Sequence, residues 1–491
     1  MSLDPRTPVL IGVGVVQQRE QDPARAHEPL ELMAEALEHA ALDAGDRRLL
    51  RDADSIRAPR GFWRYADPCR ALAERFGASN ARTEVAEVGV LQTSLFGRAA
   101  RDIAEGHADV VLIAGGEARY RARRARIAGI EPSMTQQREG VQPDSVLRPA
   151  AAVVSDTEVR SGLTMPVGAY AVVENALRAR EGTSLETHRR EVAELWAGMS
   201  HVAADNPHAW KREIVSPESV REASEKNPML AFPYTKLHNS QWNVDQAAGL
   251  IFCSAEKASR LGIARDRWVF PLCVAENNYM LAFTERRAID RCPGFARAAE
   301  AAFQHASCDP EDVSHLELYS CFPSAVRIQL RETGVRRDRP VTVTGGMAFA
   351  GGPLNNFVLQ AQARMAEVLR ADPGSLGLVT AISGFLTKQG VGLWSTEPRD
   401  PGFRYEDVSR ETEADMDEVE LAANPTGRGR VAGYTVFYDD AQPSRSVFLC
   451  DLEDGRRAVV VQPDAALAEE ATRVDACGRE VQLSGDELAF V

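Results

Sequence analysis

Several features that would settle a protein's class early are missing here. The eight cysteines, spread from Cys69 to Cys477, include no C-x-x-C pair. Neither a disulfide framework nor a structural metal site is therefore expected, and a reducing compartment fits best. No stretch approaches ~18 uninterrupted apolar residues, so no membrane span is expected. The opening residues Met1-Ser2-Leu3-Asp4-Pro5-Arg6 lack the basic and apolar regions of a secretory leader. Positive charge is in deficit: 57 Lys+Arg face 71 Asp+Glu, a formal net charge of −14. A nucleic-acid polyanion needs a basic footprint, so broad nucleic-acid binding is excluded, while a local basic pocket for a phosphorylated ligand is not. G-x-x-x-x-G-K-[ST], G-x-S-x-G and H-E-x-x-H are all absent. Gly12-Val13-Gly14 begins a dinucleotide fingerprint, but Gln17 stands where the third glycine belongs. Ser254-Ala255-Glu256-Lys257 satisfies S-x-x-K without the partner motifs that would give it weight.

What is present is ordinary for a globular chain: 491 residues, 44% hydrophobic and 26% charged, enough for about three domains. The expectation is a cytoplasmic, multi-domain protein. Val9–Val16 reads as a strand buried on both faces. A helix follows from Pro29, with Leu30, Met33, Leu37 and Ala41 on one side and Gly45 past its end. Leu95, Phe96, Ala99, Ala100 and Ile103 form a second helical stripe, stopped by Gly106, before the strand Ala108–Gly116. The same grammar recurs late. Gly345-Gly346 and Gly351-Gly352-Pro353 make a glycine-rich turn, Phe357, Ala361, Met365 and Leu369 a helix, and Leu376–Gly384 a strand. Two halves of one plan suggest an internal duplication.

The expected division is 1–117 with 236–260 as an N-terminal half, 118–235 as an arginine-rich helical insertion, and 261–397 as a C-terminal half. An acidic linker covers 398–426 and a small β-domain 427–491. That last segment has 7 arginines and no lysine against 12 acidic residues, the wrong sign for binding single-stranded nucleic acid.

Candidate chemistry sits at three places. His238-Asn239-Ser240 precedes the apolar run from Asp245; the same residues also suit a loop that satisfies its own backbone. Leu316-Glu317-Leu318-Tyr319-Ser320-Cys321-Phe322-Pro323 is a strand with a sharp turn at its carboxyl end, where open α/β sheets present ligand-binding groups. Tyr319 and Cys321 are candidates there, although both residue types also occur in cores. Arg119, Arg121, Arg123, Arg124 and Arg126 form the most basic stretch, suited either to phosphates or to a solvated helix face.

These pieces, in this order, resemble the thiolase superfamily over about residues 7–397. They are closest to the sterol-carrier-protein type and to bacterial thiolase-like proteins known as acetyl-CoA acetyltransferases. The resemblance rests on Gly106–Gly116, Gly162–Tyr170, Asp245-Gln246-Ala247-Ala248, and Tyr319-Ser320-Cys321-Phe322 in place of His-Asp-Cys-Phe. Gly433-Tyr434-Thr435-Val436 is similar to an extra domain of one thiolase-like subgroup. The resemblance implies an α/β fold class: a duplicated five-layer αβαβα thiolase fold with a helical loop insertion that holds coenzyme A, plus a small C-terminal β-barrel-like domain. It also implies a homodimer or homotetramer, and a coenzyme A thioester as substrate or ligand with no permanently bound cofactor.

The departures are chemical. The family's nucleophilic cysteine falls near Gly89-Val90, its Gly-His-Pro histidine is placed at Met347, and its other histidine at Tyr319. No cysteine occurs on Ile382–Lys388, where the second one belongs. The catalytic candidates are therefore Tyr319, Ser320 and Cys321, with Asn239, Ser240, Gly346, Met347, Ser383 and Gly384 expected around the ligand. Three functions stay open. The first is an enzyme acting on an acyl-CoA through other groups, including retro-aldol cleavage of a 3-hydroxyacyl-CoA with Tyr319 as acid or enolate donor. The second is an acetyltransferase with Cys321 as a displaced nucleophile. The third is a non-catalytic acyl-CoA-binding protein.

Overall fold

The chain begins with strand β1 (Pro8–Gln17) and a helix, Pro29–Ala44, that lies directly on it. A Cβ on Gly14 would stand 2.2 Å from the carbonyl oxygen of Ala36, and one on Gly12 equally close to that of Ala40. The paired glycines thus serve helix-on-strand packing, which accounts for the incomplete dinucleotide pattern. The computed structural model describes residues 3–491; Met1 and Ser2 of the stretch read for a leader lie outside it.

The first sheet continues with β2 (Ser55–Pro59), β3 (Arg82–Ala86), β4 (Val110–Ala118) and a short β5 (Ser145–Leu147). The chain then passes through helices Pro166–Arg180 and Leu185–Asp205 and two short strands, β6 (Met229–Ala231) and β7 (Tyr234–Thr235). It re-enters the first sheet as β8 (Asp245–Ser254), giving the order β1-β8-β4-β2-β3-β5. The second sheet is built from β9 (Phe270–Asn277), β10 (Val313–Glu317), β11 (Leu376–Ser383), β12 (Lys388–Ser395) and β13 (Arg404–Asp407), in the order β10-β11-β12-β9-β13.

The duplication is visible in the ladders. β2-β4-β8-β1 runs parallel, antiparallel, antiparallel, and β10-β11-β12-β9 repeats the same order and senses. Side chains from both halves meet in one core. Phe96 of helix Thr93–Ala104 packs at 6.4 Å from Phe252 on β8 and 6.1 Å from Trp394 on β12.

The third sheet holds β14 (Thr426–Asp439), β15 (Gln442–Leu452), β16 (Arg457–Gln462), β17 (Glu480–Ser484) and β18 (Glu487–Phe490), ordered β16-β15-β14-β17-β18. Among the described residues no pairing joins β16 to β18, so the sheet is open in its hydrogen bonds. β6 pairs with β14 through Ala231 and Phe437, so the 118–235 region contributes to this sheet. The acidic 398–426 segment is more than a tether. β13 lies parallel to β9, Ser409–Asp415 is helical, and the Tyr405 hydroxyl donates to Glu276 at 2.7 Å. Its acidic residues face solvent while its apolar ones are drawn inward, and charge alone did not distinguish the two. All eight cysteines are free thiols. Among the described residues no helix is long and apolar enough to cross a membrane.

Candidate active site

Tyr319, Ser320 and Cys321 follow β10 and precede the helix Pro323–Thr333, whose first turn is set by Pro323. The turn is fixed through its backbone. Tyr319 N–H donates to Thr380 Oγ1 at 2.8 Å, and Gln329 Nε2 donates to the Tyr319 carbonyl at 2.9 Å. The Tyr319 ring meets Phe357 edge-on at 6.0 Å. Its hydroxyl makes no hydrogen bond to the protein among the described residues, which leaves a donor for a ligand.

Three expected residues, Met347, Ser240 and Gly346, converge on this turn. The Met347 N–H donates to Ser320 Oγ at 3.0 Å, and Ser240 Oγ donates to the Cys321 carbonyl at 3.2 Å. Ser240 also lies 3.8 Å from Met347 Sδ, and a Cβ on Gly346 would come 3.1 Å from Ser320 Oγ. Asn239 is committed elsewhere: its side chain donates to Thr235 O at 2.8 Å, the self-satisfying loop that the sequence also allowed. Its neighbour His238 is buried, and burial pushes its imidazole down to about 3, so it is neutral. Gly384 reaches the site through Tyr170, whose hydroxyl donates to Gly384 O at 3.2 Å and accepts from Leu386 N at 3.3 Å, while Ser383 ends β11 opposite Lys388. Tyr170 stacks on Phe322 at 4.5 Å. It comes from the helix Pro166–Arg180 and was quoted only within the family resemblance. Nothing in its own surroundings in the sequence marks it, because its partners lie 150 to 216 residues away.

The site's acids are protonated. Burial raises the phenols of Tyr170 and Tyr319 above their ordinary range, and a charge on Cys321 would raise both further. Burial likewise pushes the Cys321 thiol up to about 12. A thiol held protonated is a poor nucleophile. Two phenols and a thiol are instead suited to donating toward negative charge that builds on a ligand oxygen.

The place near Gly89-Val90, where the resemblance puts the nucleophile, is closed at Gly89. Gly89 adopts φ +103, and a Cβ there would lie 2.8 Å from Pro149 Cγ and 2.9 Å from Val153 Cγ2. Its carbonyl accepts from the buried Lys388 Nζ at 2.9 Å. The helix that follows, Thr93–Ala104, presents Thr93 and Ser94 hydroxyls to Glu276, which is wholly buried. A carboxylate thus already occupies the helix start whose partial positive charge would otherwise favour a thiolate.

The Gly-His-Pro motif needs a re-registration. Gly351-Gly352-Pro353 keeps both flanking residues, so Gly352, five positions beyond Met347, stands at the histidine. Met347 remains at the site through its backbone and sulfur, and no imidazole stands at either position.

The turn Thr342–Gly346 is hung on Glu317 of β10. That carboxyl accepts from Val343 N at 2.9 Å, Thr344 N at 2.8 Å and the Thr342 and Thr344 hydroxyls. Burial raises it to about 7 against these opposing hydrogen bonds. Since its folded value lies above its ordinary one near 4.5, the folded state holds this proton longer. Stability is then lost as pH rises from about 4.5 to about 7, by up to roughly 3 kcal/mol. Urea midpoints should fall over that window, and Glu317→Gln should flatten its own share of the fall. Glu117, raised to about 7, and Asp245, raised to about 6, act in the same direction.

A cavity of about 640 Å³ between the helices Pro293–Ala306 and Pro323–Thr333 contains none of the expected site residues.

No protein-family model matches the chain. An acetyl-CoA acetyltransferase of Methanothermobacter thermautotrophicus is 27% identical over 246 residues, 46% of this chain and 61% of that relative. The match thus spans less than two thirds of the relative. Among solved structures, a monomeric SCP2-thiolase like protein type 1 from Mycobacterium smegmatis is similar over 100% of both chains, with 28% identity and a TM-score of 0.83. The Ltp2-ChsH2(DUF35) aldolase is similar in fold over 80% of this chain and 99% of its own, with a TM-score of 0.60 at 18% identity.

Proposed function

We propose that this chain, a member of the thiolase superfamily, binds an acyl-CoA and makes or breaks a carbon–carbon bond beside the thioester without forming an acyl-cysteine. The observation that carries this reading is Gly89, near which the resemblance puts the nucleophile: it has no side chain, and Pro149 and Val153 fill the space one would need. The donors that remain suit an enolate. In retro-aldol cleavage of a 3-hydroxyacyl-CoA, the bond between Cα and Cβ breaks and the 3-hydroxyl carbon becomes an aldehyde or ketone carbonyl. The electron pair moves onto the thioester oxygen, where Tyr319 donates a hydrogen bond. The proton released from the 3-hydroxyl is matched by one delivered to Cα, which leaves a shorter acyl-CoA. The aldolase among the structural neighbours agrees with this chemistry through its fold alone.

The test is to incubate the protein with a 3-hydroxyacyl-CoA and follow release of the carbonyl product, beside Tyr319→Phe. Losing one donor to a developing oxyanion should lower kcat by about 10²-fold or more, with little change in KM. No carbonyl product from wild type under any acyl chain length would sink the reading.

A second reading, an acyl-CoA-binding protein without catalysis, is favoured by the burial of Tyr319 and Cys321, 9% and 8% exposed. Cys321 as an acyl-carrying nucleophile is disfavoured by its protonated state.

In place of the homodimer or homotetramer that the resemblance implies, we propose a single chain in solution. An uncovered sheet edge invites pairing with a second copy. Here the three-residue β5 covers β3, and Leu10 of β1 is bridged to Val269 of the other half. β3 is thus an inner strand of the first sheet, whose outer strands are the three-residue β5 and β1. Light scattering should give the mass of one chain; a stable dimer would overturn this.

A further inference from the structure

Of the five arginines in the basic stretch, four are accounted for by the fold. Arg121 is buried and donates to Pro23 O and Ser133 O, Arg124 donates to Gln21 O, and Arg123 and Arg126 are exposed on their helix. Arg119 is different. Its guanidinium sits in a corner between two rings, 4.4 Å from Phe62 and 4.8 Å from Trp242, and those rings are 51% and 42% exposed. Its Nε is buried without a partner.

The surface continues from there. Tyr120 meets the buried Trp210 edge-on at 5.6 Å, and Arg19, itself exposed, lies 4.5 Å over that ring. Lys211 follows Trp210, and Lys236 and Arg19 are close enough for their like charges to bear on it. Among the described residues none of Arg19, Arg119, Lys211 and Lys236 has a carboxylate within 4.0 Å. Glu213 and Glu117 act on Lys211 and Arg119 only from further away. Arg19, Lys211 and Lys236 are like charges near one another, and the ring contacts of Arg19 and Arg119 are the only partners of these two guanidinium groups among the described residues.

This belt adjoins the candidate site. Trp210 N–H and Lys211 N–H donate to Ala350 O and Phe349 O, just past Met347. Asn239 N–H donates to Lys236 O, and Gln241, beside Trp242, donates through its N–H to Met347 O.

We infer that the belt Arg19–Trp210–Lys211–Lys236 with Phe62–Arg119–Trp242 is a binding surface for a phosphorylated nucleotide, the exposed Phe62 and Trp242 rings taking the planar base and the cations its phosphates. This rests on the acyl-CoA reading and adds to it. The nucleotide end of the ligand lies partly on the N-terminal half, through Arg19, Phe62, Lys236 and Trp242, and not on the 118–235 insertion alone.

Adenosine 3′,5′-bisphosphate serves as the probe, because it carries the phosphates and base without any thioester. Calorimetric titration should show binding to wild type, weakened about tenfold in Arg119→Gln and in Lys236→Gln and unchanged in Arg126→Gln. Saturation should quench tryptophan fluorescence, and Trp242→Phe should remove most of that quench. Melting curves of each variant confirm that it is folded. Acetyl-CoA is titrated in parallel. Wild-type affinity for acetyl-CoA in both Arg119→Gln and Lys236→Gln overturns the inference and leaves the acyl-CoA reading standing. Binding of the bisphosphate without acetyl-CoA keeps the belt and sinks the acyl-CoA reading. A single-stranded oligonucleotide bound more tightly than either would overturn the assignment to a small ligand.

Discussion

Gly89→Cys is expected to destabilise the protein and to gain no acyl-enzyme chemistry. Two costs combine. A side chain at φ +103 is strained, by about 1–3 kcal/mol. Its Cβ would also press on Pro149 and Val153 at 2.8 and 2.9 Å, and overpacking of that kind costs about 1–3 kcal/mol. The proline ring cannot swing aside as a long side chain could. Any thiol that did fit would meet a helix start already facing the Glu276 carboxyl. Urea denaturation should show the loss of stability, and intact-mass measurement after incubation with acetyl-CoA should show no adduct. An acetyl adduct at position 89 on a protein of undiminished stability would mean that the closed nucleophile position described here is open in solution.

Arg457→Ala is expected to loosen the C-terminal sheet from the rest of the molecule. The Arg457 side chain is fully buried. It donates to the carbonyls of Arg286 and Arg287, approaches that of Thr284 at 3.4 Å, and pairs with Asp451 at 2.7 Å. Removing it strands these acceptors at an interior junction and leaves a cavity, for a loss of about 3–5 kcal/mol. The change should appear as a separate early unfolding transition, with protease cleavage near 418–426. A single transition at the wild-type midpoint would show that the sheet is held by other contacts. Two of those contacts are on view. Asn175 Nδ2 donates to both Phe232 O and Tyr434 O, and Arg178 pairs with Asp475.

The ladders explain why the repeated plan was legible. Apolar runs such as Val110–Ala114 and Leu376–Ala381 are buried on both faces. Continuous hydrophobicity bounded by glycine marks such strands without any knowledge of their neighbours. The turn after β10 was legible for a related reason: a strand running into a proline-opened helix has to present its last residues at the sheet's edge. The short strand inside the acidic 398–426 segment is not legible in the sequence because β13 is only four residues long and pairs with β9, which lies more than 120 residues earlier.

By itself, the sequence determined the duplicated α/β plan, a property of residue type and local order, and through the family resemblance it implied that the sulfur and imidazole groups are missing. Only the tertiary structure decided what took their place. Tyr170, Glu276 and Lys388 become neighbours of the site through contacts between segments some 180 to 300 residues apart. Whether Gly89 is an empty pocket or a filled one depends on where Pro149 and Val153 pack. Burial then fixes which of these groups carries a proton, and burial is a property of the folded chain and not of any residue in it.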